Sequence, residues 1–413
     1  MLRPHAVAVI VAAGTVVALP TAGVAQESVR FATFNVSMSP GGQTTLESNL
    51  ANTTPAPFGF GQGRNNAEVI QRLRPDVLLL NEFNYNPANP TRAVDLFRQN
   101  FLQVSQNGQA AITYPYAYVA PVNTGVQSGF DLNNNGNIGD PEDAFGFGNH
   151  PGQFGMVVLS KYPITGARTF QEFLWKDMPG ARLPDDPSTP APADWYSAAE
   201  LDVFRLSSKS HWDLTVDVNG NDVHVLASHP TPPVFDAVQL PGFPTDPFAG
   251  NLVDYNGKRN ADEIRLWDDY ITPGDAAYLY DDAGNTGGLA EGASFVIMGD
   301  LNADPVKGDG IQAAIQSLLS NPRVNDTVPV GAGGDDPTDT ATFDLRVDYV
   351  LPSSDLGVTG SGVFWPTAGQ PGFSAINSTD HRMVYVDVVV PEPASLTLPG
   401  VAAGLLRRRR QSN

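Results

Sequence analysis

Apolar runs that stop abruptly at an acid, an amide or an imidazole recur along the chain. They occur at Phe34-Asn35, at Leu80-Asn81-Glu82 and at Met298-Gly299-Asp300-Leu301-Asn302, and a further run, Val223 to Ser228, stops at His229. Ser378-Thr379-Asp380-His381 places a similar polar group near the other end. Polar groups are costly to bury unpaired, so strands that end this way predict a shared polar site at one sheet edge.

Strands are predicted at Val29 to Val36, Val77 to Leu80, Tyr116 to Pro121, Gly155 to Leu159, Trp212 to Val218, Val223 to Ser228, Phe295 to Met298, Arg346 to Leu351 and Met383 to Val390. Those that are continuously apolar read as buried on both faces. Helical spacing appears at Asn65 to Leu73, Ala93 to Phe101 and Asn260 to Tyr270. Such a mixture predicts an α/β architecture of two packed sheets flanked by helices. The first and last polar ends lie at opposite ends of the chain, so a site built from both implies one domain. Stretches rich in Gly, Pro, Asn and Asp at 37–64, 121–153, 176–197, 230–259 and 271–293 read as long loop insertions that shape a substrate pocket.

In chain order there is an Asn after the first strand, a Glu after the second, a mid-chain His, a Gly-Asp-Leu-Asn segment, an Asp in Arg346-Val347-Asp348-Tyr349, and a final Ser-Thr-Asp-His. This series resembles the endonuclease/exonuclease/phosphatase superfamily of divalent-metal phosphoesterases over residues 29 to 390. The resemblance implies a four-layer α-β-β-α sandwich of two mixed sheets in a single domain, 26–390. It implies Glu82, Asn35 and Asp380 as ligands or supports of a catalytic Mg²⁺ or Mn²⁺, whose preference for oxygen suits them. It also implies Asp300 as the group that orients or deprotonates water, Asn302 as a phosphoryl contact, His381 as a phosphate contact steadied by Asp348, and His229 as an acid or clamp. In deoxyribonuclease-like relatives a glutamate before the fourth strand partners that imidazole; Gln153 and Phe154 stand there instead.

Other polar residues are read as structural or left open. His211 and His224 read as packing or surface groups, and Asp304 as a turn former. His150, the cations Lys258 and Arg259 with Asn260, and the pair Lys176 and Arg182 are open between pocket or phosphate contacts and ordinary surface roles. Asp131, Asn133, Asn135, Gly136, Asn137 and Glu142 follow the spacing of a calcium loop, with oxygen ligands at loop positions 1, 3 and 5 and a Glu at 12. Flanks that are not helical make it a structural Ca²⁺ site or else a plain Asn/Gly-rich turn.

The formal net charge is −20, and no basic cluster lies between the two ends of the chain. Affinity for long nucleic acid rests on lysines and arginines, so nucleic acid is possible but disfavoured as substrate. The chain has no cysteine. That excludes thiol nucleophiles and disulfide staples. Residues 1–25 read as a secretory signal, Arg3 followed by an apolar run too short for the ~20 residues of a membrane span. Residues 391–413, with Val390-Pro391-Glu392-Pro393 ahead of an apolar stretch and Arg407 to Arg410, resemble the PEP-CTERM sorting tail of Gram-negative bacteria. That tail implies transient membrane contact, cutting by a sorting protease of the exosortase type, and release to the cell surface, the extracellular matrix or the medium. The reading is an exported metal-dependent phosphoesterase acting on a phosphomono- or phosphodiester. Its alternatives are an extracellular nuclease and a catalytically idle calcium-binding surface module.

Overall fold

The computed structural model describes residues 28–54, 60–236 and 253–391. The expected leader, and all but the first residue of the expected tail, lie outside them. Eleven strands are described: β1 (Ser28–Met38), β2 (Val77–Phe83), β3 (Tyr116–Tyr118), β4 (Met156–Ser160), β5 (Ile164–Thr169), β6 (His211–Val218), β7 (Asn221–Ser228), β8 (Ser294–Asp300), β9 (Asp348–Pro352), β10 (Gly357–Val363) and β11 (Val384–Val389). Six form one mixed sheet, in the order β10-β11-β1-β2-β4-β3, and five form another, β5-β6-β7-β8-β9.

Each sheet has one parallel pair, β1 with β2 and β7 with β8. A parallel pair needs a crossover, and helices supply it. Helices α1 (Thr45–Ala51) and α2 (Phe60–Leu73) lie between β1 and β2, α3 (Arg92–Phe97) and α4 (Ala198–Leu201) follow, α5 (Tyr255–Ile271) joins β7 to β8, and α6 (Gln312–Ser320) packs beside α5.

Side-chain alternation on the strands sets the layers. On β1, Ala32, Phe34 and Val36 pack with Leu46, Val69, Ile70 and Phe97 of the first three helices. Val29 and Phe31, on the other face, meet Trp212, Leu214 and Val225 of the second sheet. The outer face of that sheet, with Leu226, Phe295 and Ile297, is covered by Ile264, Trp267 and Ile315 of α5 and α6. Burying each such side chain contributes roughly 1.5–3 kcal/mol, which drives the stacking. The result is one α-β-β-α sandwich.

Strands β5 and β10 are absent from the sequence reading, and both are sheet edges. Their residues, Ile-Thr-Gly-Ala-Arg-Thr and Gly-Val-Thr-Gly-Ser-Gly-Val, are mostly half-exposed or exposed. An edge strand covered on one side need not be an apolar run. The helix read at Ala93 to Phe101 begins at Arg92 and changes to a π-helical turn at Arg98–Leu102. Helices α1 and α6 lie where no helix is read, α1 inside the 37–64 insertion, because α1 buries only Leu46 and Leu50 and α6 only Ala314, Ile315 and Leu318.

Candidate active site

The same alternation that makes the inter-sheet core builds the site at its end. Val29, Phe31, Thr33 and Asn35 share one face of β1, and Val77, Leu79 and Asn81 share one face of β2. On the facing sheet Val225 and Ala227 lead to His229, Val296 and Met298 lead to Asp300, and Val350 leads back to Asp348. Each row starts apolar and ends polar, with Thr33 joining Asn35 and Asn81 at the polar end of the first sheet. Register then places Asn35 beside Asn81 and Asp300 beside Asp348. Gly299 is required here, since a Cβ would lie 2.2 Å from the carbonyl oxygen of Ser228 on β7.

Two carboxylates paired across strands repel, and His381 sits between them. Its Nδ1 lies 2.9 Å from Asp348 Oδ2, and its Nε2 3.6 Å from Asp300 Oδ2. Thr340 Oγ1 also donates to Asp348 Oδ2, at 2.8 Å. Asp300 Oδ2 accepts from Asn35 Nδ2 at 3.0 Å and faces His229 Nε2 at 3.4 Å, and Oδ1 accepts from the Asn302 N–H at 3.0 Å. Burial opposes the charge on Asp300, but the His381 cation, the His229 hydrogen bond and Asn35 together hold its carboxyl well below the usual range. Burial likewise opposes charge on His381, yet Asp348 and Asp300 drive its pKa up to about 10. His229 is pushed the other way, by burial first and the Lys209 charge second. One carboxylate thus faces one charged and one neutral imidazole.

Glu82 leaves the alternating pattern. Its φ of 56° is left-handed, as are those of Ser37 (47°), Phe154 (52°) and Asn302 (52°), all at the same end of the sandwich. Such non-glycine backbone costs roughly 1–3 kcal/mol per residue and is held by its surroundings. Here it turns the Glu82 carboxylate toward Asn35 Nδ2, 3.1 Å from Oε1, and Ser39 Oγ, 3.1 Å from Oε2.

The structure therefore links Asn35, Glu82, His229, Asp300, Asp348 and His381 directly. Asp380 stands at the rim, exposed, 3.4 Å from Ser37 Oγ. The Asn302 amide donates to Pro230 O at 3.1 Å and so pins the loop after His229. The calcium-type loop is a separate turn whose Asp131 accepts from the N–H groups of Asn135 (3.0 Å) and Gly136 (2.7 Å). A buried carboxylate one residue beyond the expected Glu142, Asp143, closes it by accepting from Leu132 N–H and Gly139 N–H. Asn133 and Glu142 nonetheless line the same cavity as Glu82 and His229, a space of ≈ 450 Å³.

Two further residues belong to this end of the sandwich. Asn81 accepts from Thr33 Oγ1 (3.1 Å) and the Asp300 N–H (3.3 Å) and donates to Ser228 O (3.3 Å), tying both sheets together beneath the site. Lys209 lines the cavity beside Glu82 and His229 and is 5 % exposed. Among the described residues its ammonium has neither a hydrogen-bond nor an ion-pair partner, and burial lowers its pKa against the pull of Glu263, Glu82 and Asp300. Nothing in Ser207-Ser208-Lys209-Ser210 marks it; Asn81 was legible only as part of a strand end.

The other candidate cations are spent. Arg259 donates to the carbonyls of Leu206, Phe145 and Arg205, Lys258 to Val253 O, Lys176 pairs with Asp202 and Arg182 with Asp262. Asn260 donates to the carbonyls of Thr231 and Leu301. His150 contacts only backbone carbonyls, and Asp304 caps a turn through the N–H groups of Val306 and Lys307. Gln153 turns to Asn149 and Ser39, and His229 Nδ1 is buried without a partner among the described residues.

Compared with known proteins, residues 32–381 match the Endonuclease/Exonuclease/phosphatase family. No curated protein matches the chain. Among solved structures it is similar to an endonuclease/exonuclease/phosphatase from Beutenbergia cavernae (18 % identity, 88 % of this chain and 72 % of that one, TM-score 0.47). It is also similar to the human Nocturnin catalytic domain with bound sulfate (12 %, 87 % and 94 %, 0.43) and to a beta toxin variant from Staphylococcus aureus with bound magnesium ions (16 %, 87 % and 99 %, 0.41).

Proposed function

The chain belongs to the Endonuclease/Exonuclease/phosphatase family, whose members are metal-dependent hydrolases of phosphoesters, and we propose that it is an exported phosphoesterase that cleaves a phosphomono- or phosphodiester by attack of water. The observation that carries this reading is Asp300. It is a buried carboxylate kept ionised between two imidazoles and one amide, and one of those imidazoles, His229, lines a cavity together with Glu82 and Lys209.

Glu82, Asn35 and Asp380 offer hard oxygen donors of the kind that suit Mg²⁺ or Mn²⁺. Neither Glu82 nor Asp380 forms an ion pair among the described residues, which leaves their charge to be balanced. The Asp300, Asp348 and His381 group also brings ligand atoms within 4.8 Å of one another and could bind a metal, but Asp348 Oδ2 is already engaged by His381 and Thr340. A bound ion would neutralise charge on the phosphoryl oxygens.

The chain's own groups divide the remaining work. Asp300 orients the water and takes its proton. His381, held charged by Asp348, donates to a phosphoryl oxygen, and Lys209 adds a second cation from the cavity wall. His229 Nε2 is placed to hydrogen-bond to the leaving oxygen. Asn302 and Asn81 act through others: one fixes the loop after His229, and the other fixes the backbone of Asp300.

The expected leader and tail support export, with the tail engaging a membrane until a protease releases the protein. The 131–142 loop supports a structural Ca²⁺ site, because Asp140 Oδ1 in it is buried and lacks a partner among the described residues. Calcium should then raise the melting temperature, and Glu142→Ala should remove that rise; no response to calcium would make the loop a plain turn.

The purified protein should hydrolyse bis-p-nitrophenyl phosphate or p-nitrophenyl phosphate with Mg²⁺ or Mn²⁺ and stop in excess chelator. Efficient plasmid cleavage without small-ester turnover would make it a nuclease. Inactivity on every phosphoester with every ion would make it a binding module.

A further inference from the structure

The cavity that opens from Glu82, Lys209 and His229 changes character away from them. Its walls are Leu132, Phe147, Phe154, Tyr196, Phe204 and Tyr255. They belong to separate segments: Leu132 and Phe147 to the 121–153 insertion, Tyr196 to the 176–197 insertion, and Tyr255 to the end of the 230–259 insertion. The rings pack as fixed pairs, Tyr196 with Phe204 at 4.8 Å between centroids and Phe147 with Phe154 at 6.3 Å. Phe147 is 52 % exposed, a large apolar surface left open to water at the cavity.

Among the described residues, the cation in this wall, Arg259, is already used. Arg259 donates to three backbone carbonyls and lies 4.7 Å from the centre of the Phe204 ring. Glu142, exposed at the same cavity, adds a negative charge to its lining that disfavours a second phosphate. An apolar chamber joined to a phosphate-binding end, and hostile to further anions, selects for an ester with one phosphate and one uncharged organic group.

We propose that this chamber binds the organic group of the substrate and that this group is apolar and uncharged, an alkyl or aryl ester of a single phosphate. The proposal rests on the phosphoesterase reading of the same site, and it assigns substrate selection to the insertions and not to the sandwich. A space of ≈ 450 Å³ accepts a chain of several carbons or one or two rings.

The test is a series of monoalkyl phosphates with chains of one to eight carbons, followed by release of inorganic phosphate, so that only the organic group changes. Burying a methylene contributes ~0.8 kcal/mol, so kcat/KM should rise about three- to fourfold per carbon until the chamber is full. Ala144→Leu, which narrows the chamber, and Phe147→Ser, on its exposed wall, should each lower the octyl-to-methyl ratio by tenfold or more. Calorimetry with octylphosphonic and methylphosphonic acids reads the chamber without turnover. Tighter binding of the octyl acid with no hydrolysis of any ester would keep the chamber and remove the reaction. Equal efficiency and equal binding across both series would overturn the proposal. So would a preference for the choline ester over its uncharged 3,3-dimethylbutyl isostere, because the aromatic walls would then serve a cation.

Discussion

Two aspartate–histidine pairs lie on opposite faces of the five-stranded sheet. On the outer face, under α5, His224 Nδ1 is 2.6 Å from Asp213 Oδ1, Tyr270 donates to Asp213 Oδ2 at 2.6 Å, and Arg168 links Tyr270 to Asp281. On the inner face His381 Nδ1 is 2.9 Å from Asp348 Oδ2. The outer pair is the shorter, and it is a strut: both carboxylate oxygens are engaged and the chain of bonds closes on an arginine. The inner pair leaves Asp348 Oδ1 and the neighbouring His229 Nδ1 buried without partners among the described residues, and His229 borders a cavity. Unspent polar capacity, not the presence or length of an Asp–His bond, separates the site from the scaffold.

That contrast can be broken by mutation. The largest effect is expected at Glu82, where Glu82→Gln keeps the shape but removes the charge. Turnover of a p-nitrophenyl phosphoester should fall by roughly 10³-fold or more while the unfolding midpoint stays close to that of the parent. Activity within tenfold of the parent would remove Glu82 from the metal site.

On the outer face the sign reverses. Asp213→Ala leaves Tyr270 and His224 without their buried partner, and a broken buried pair costs on the order of 3 kcal/mol. Urea unfolding should show that loss, with kcat of the folded fraction within about twofold of the parent at each temperature where it stays folded. A large kcat loss at full folding would show that the two faces are coupled.

A smaller effect should appear in acid. His211 is buried against Ser207 Oγ (2.7 Å) and Glu263 O (2.9 Å), and burial lowers its pKa to about 4 from the 6.5 of the free side chain. A folded-state pKa below the unfolded one means that its stabilising contribution is complete above pH 6.5 and is lost as the pH falls toward 4. The difference in unfolding free energy between the parent and His211→Gln should therefore be larger at pH 7.5 than at pH 4.5. A difference independent of pH would mean that His211 does not titrate in this window.

Most of the site was legible because each residue ends an apolar run. Asn35, His229 and Asp300 stop strands whose buried faces must pair with something, and the order of these ends along the chain carried the rest. What was hidden depends on tertiary placement. Lys209 sits in a serine-rich stretch before β6 and acquires meaning only when that stretch reaches the cavity. Asn81 reads as a companion of Glu82, and its bridge to Ser228 and Asp300 needs both sheets. Strands β5 and β10, as sheet edges, lack the apolar signal that marks β2 or β8. That the Asn302 amide pins the loop after His229, and that Asp380 stands at the rim, also depend on neighbouring loops that the strand pattern does not specify.

The most direct measurement compares Asp300→Asn with the parent on bis-p-nitrophenyl phosphate in saturating Mg²⁺ or Mn²⁺, with unfolding followed on the same samples. If Asp300 is the water-orienting base between two imidazoles, kcat should fall by about 10²–10⁴-fold with the unfolding midpoint little changed. Turnover equal to the parent, or a loss accounted for entirely by unfolded protein, would contradict the assignment of this sheet end as the active site.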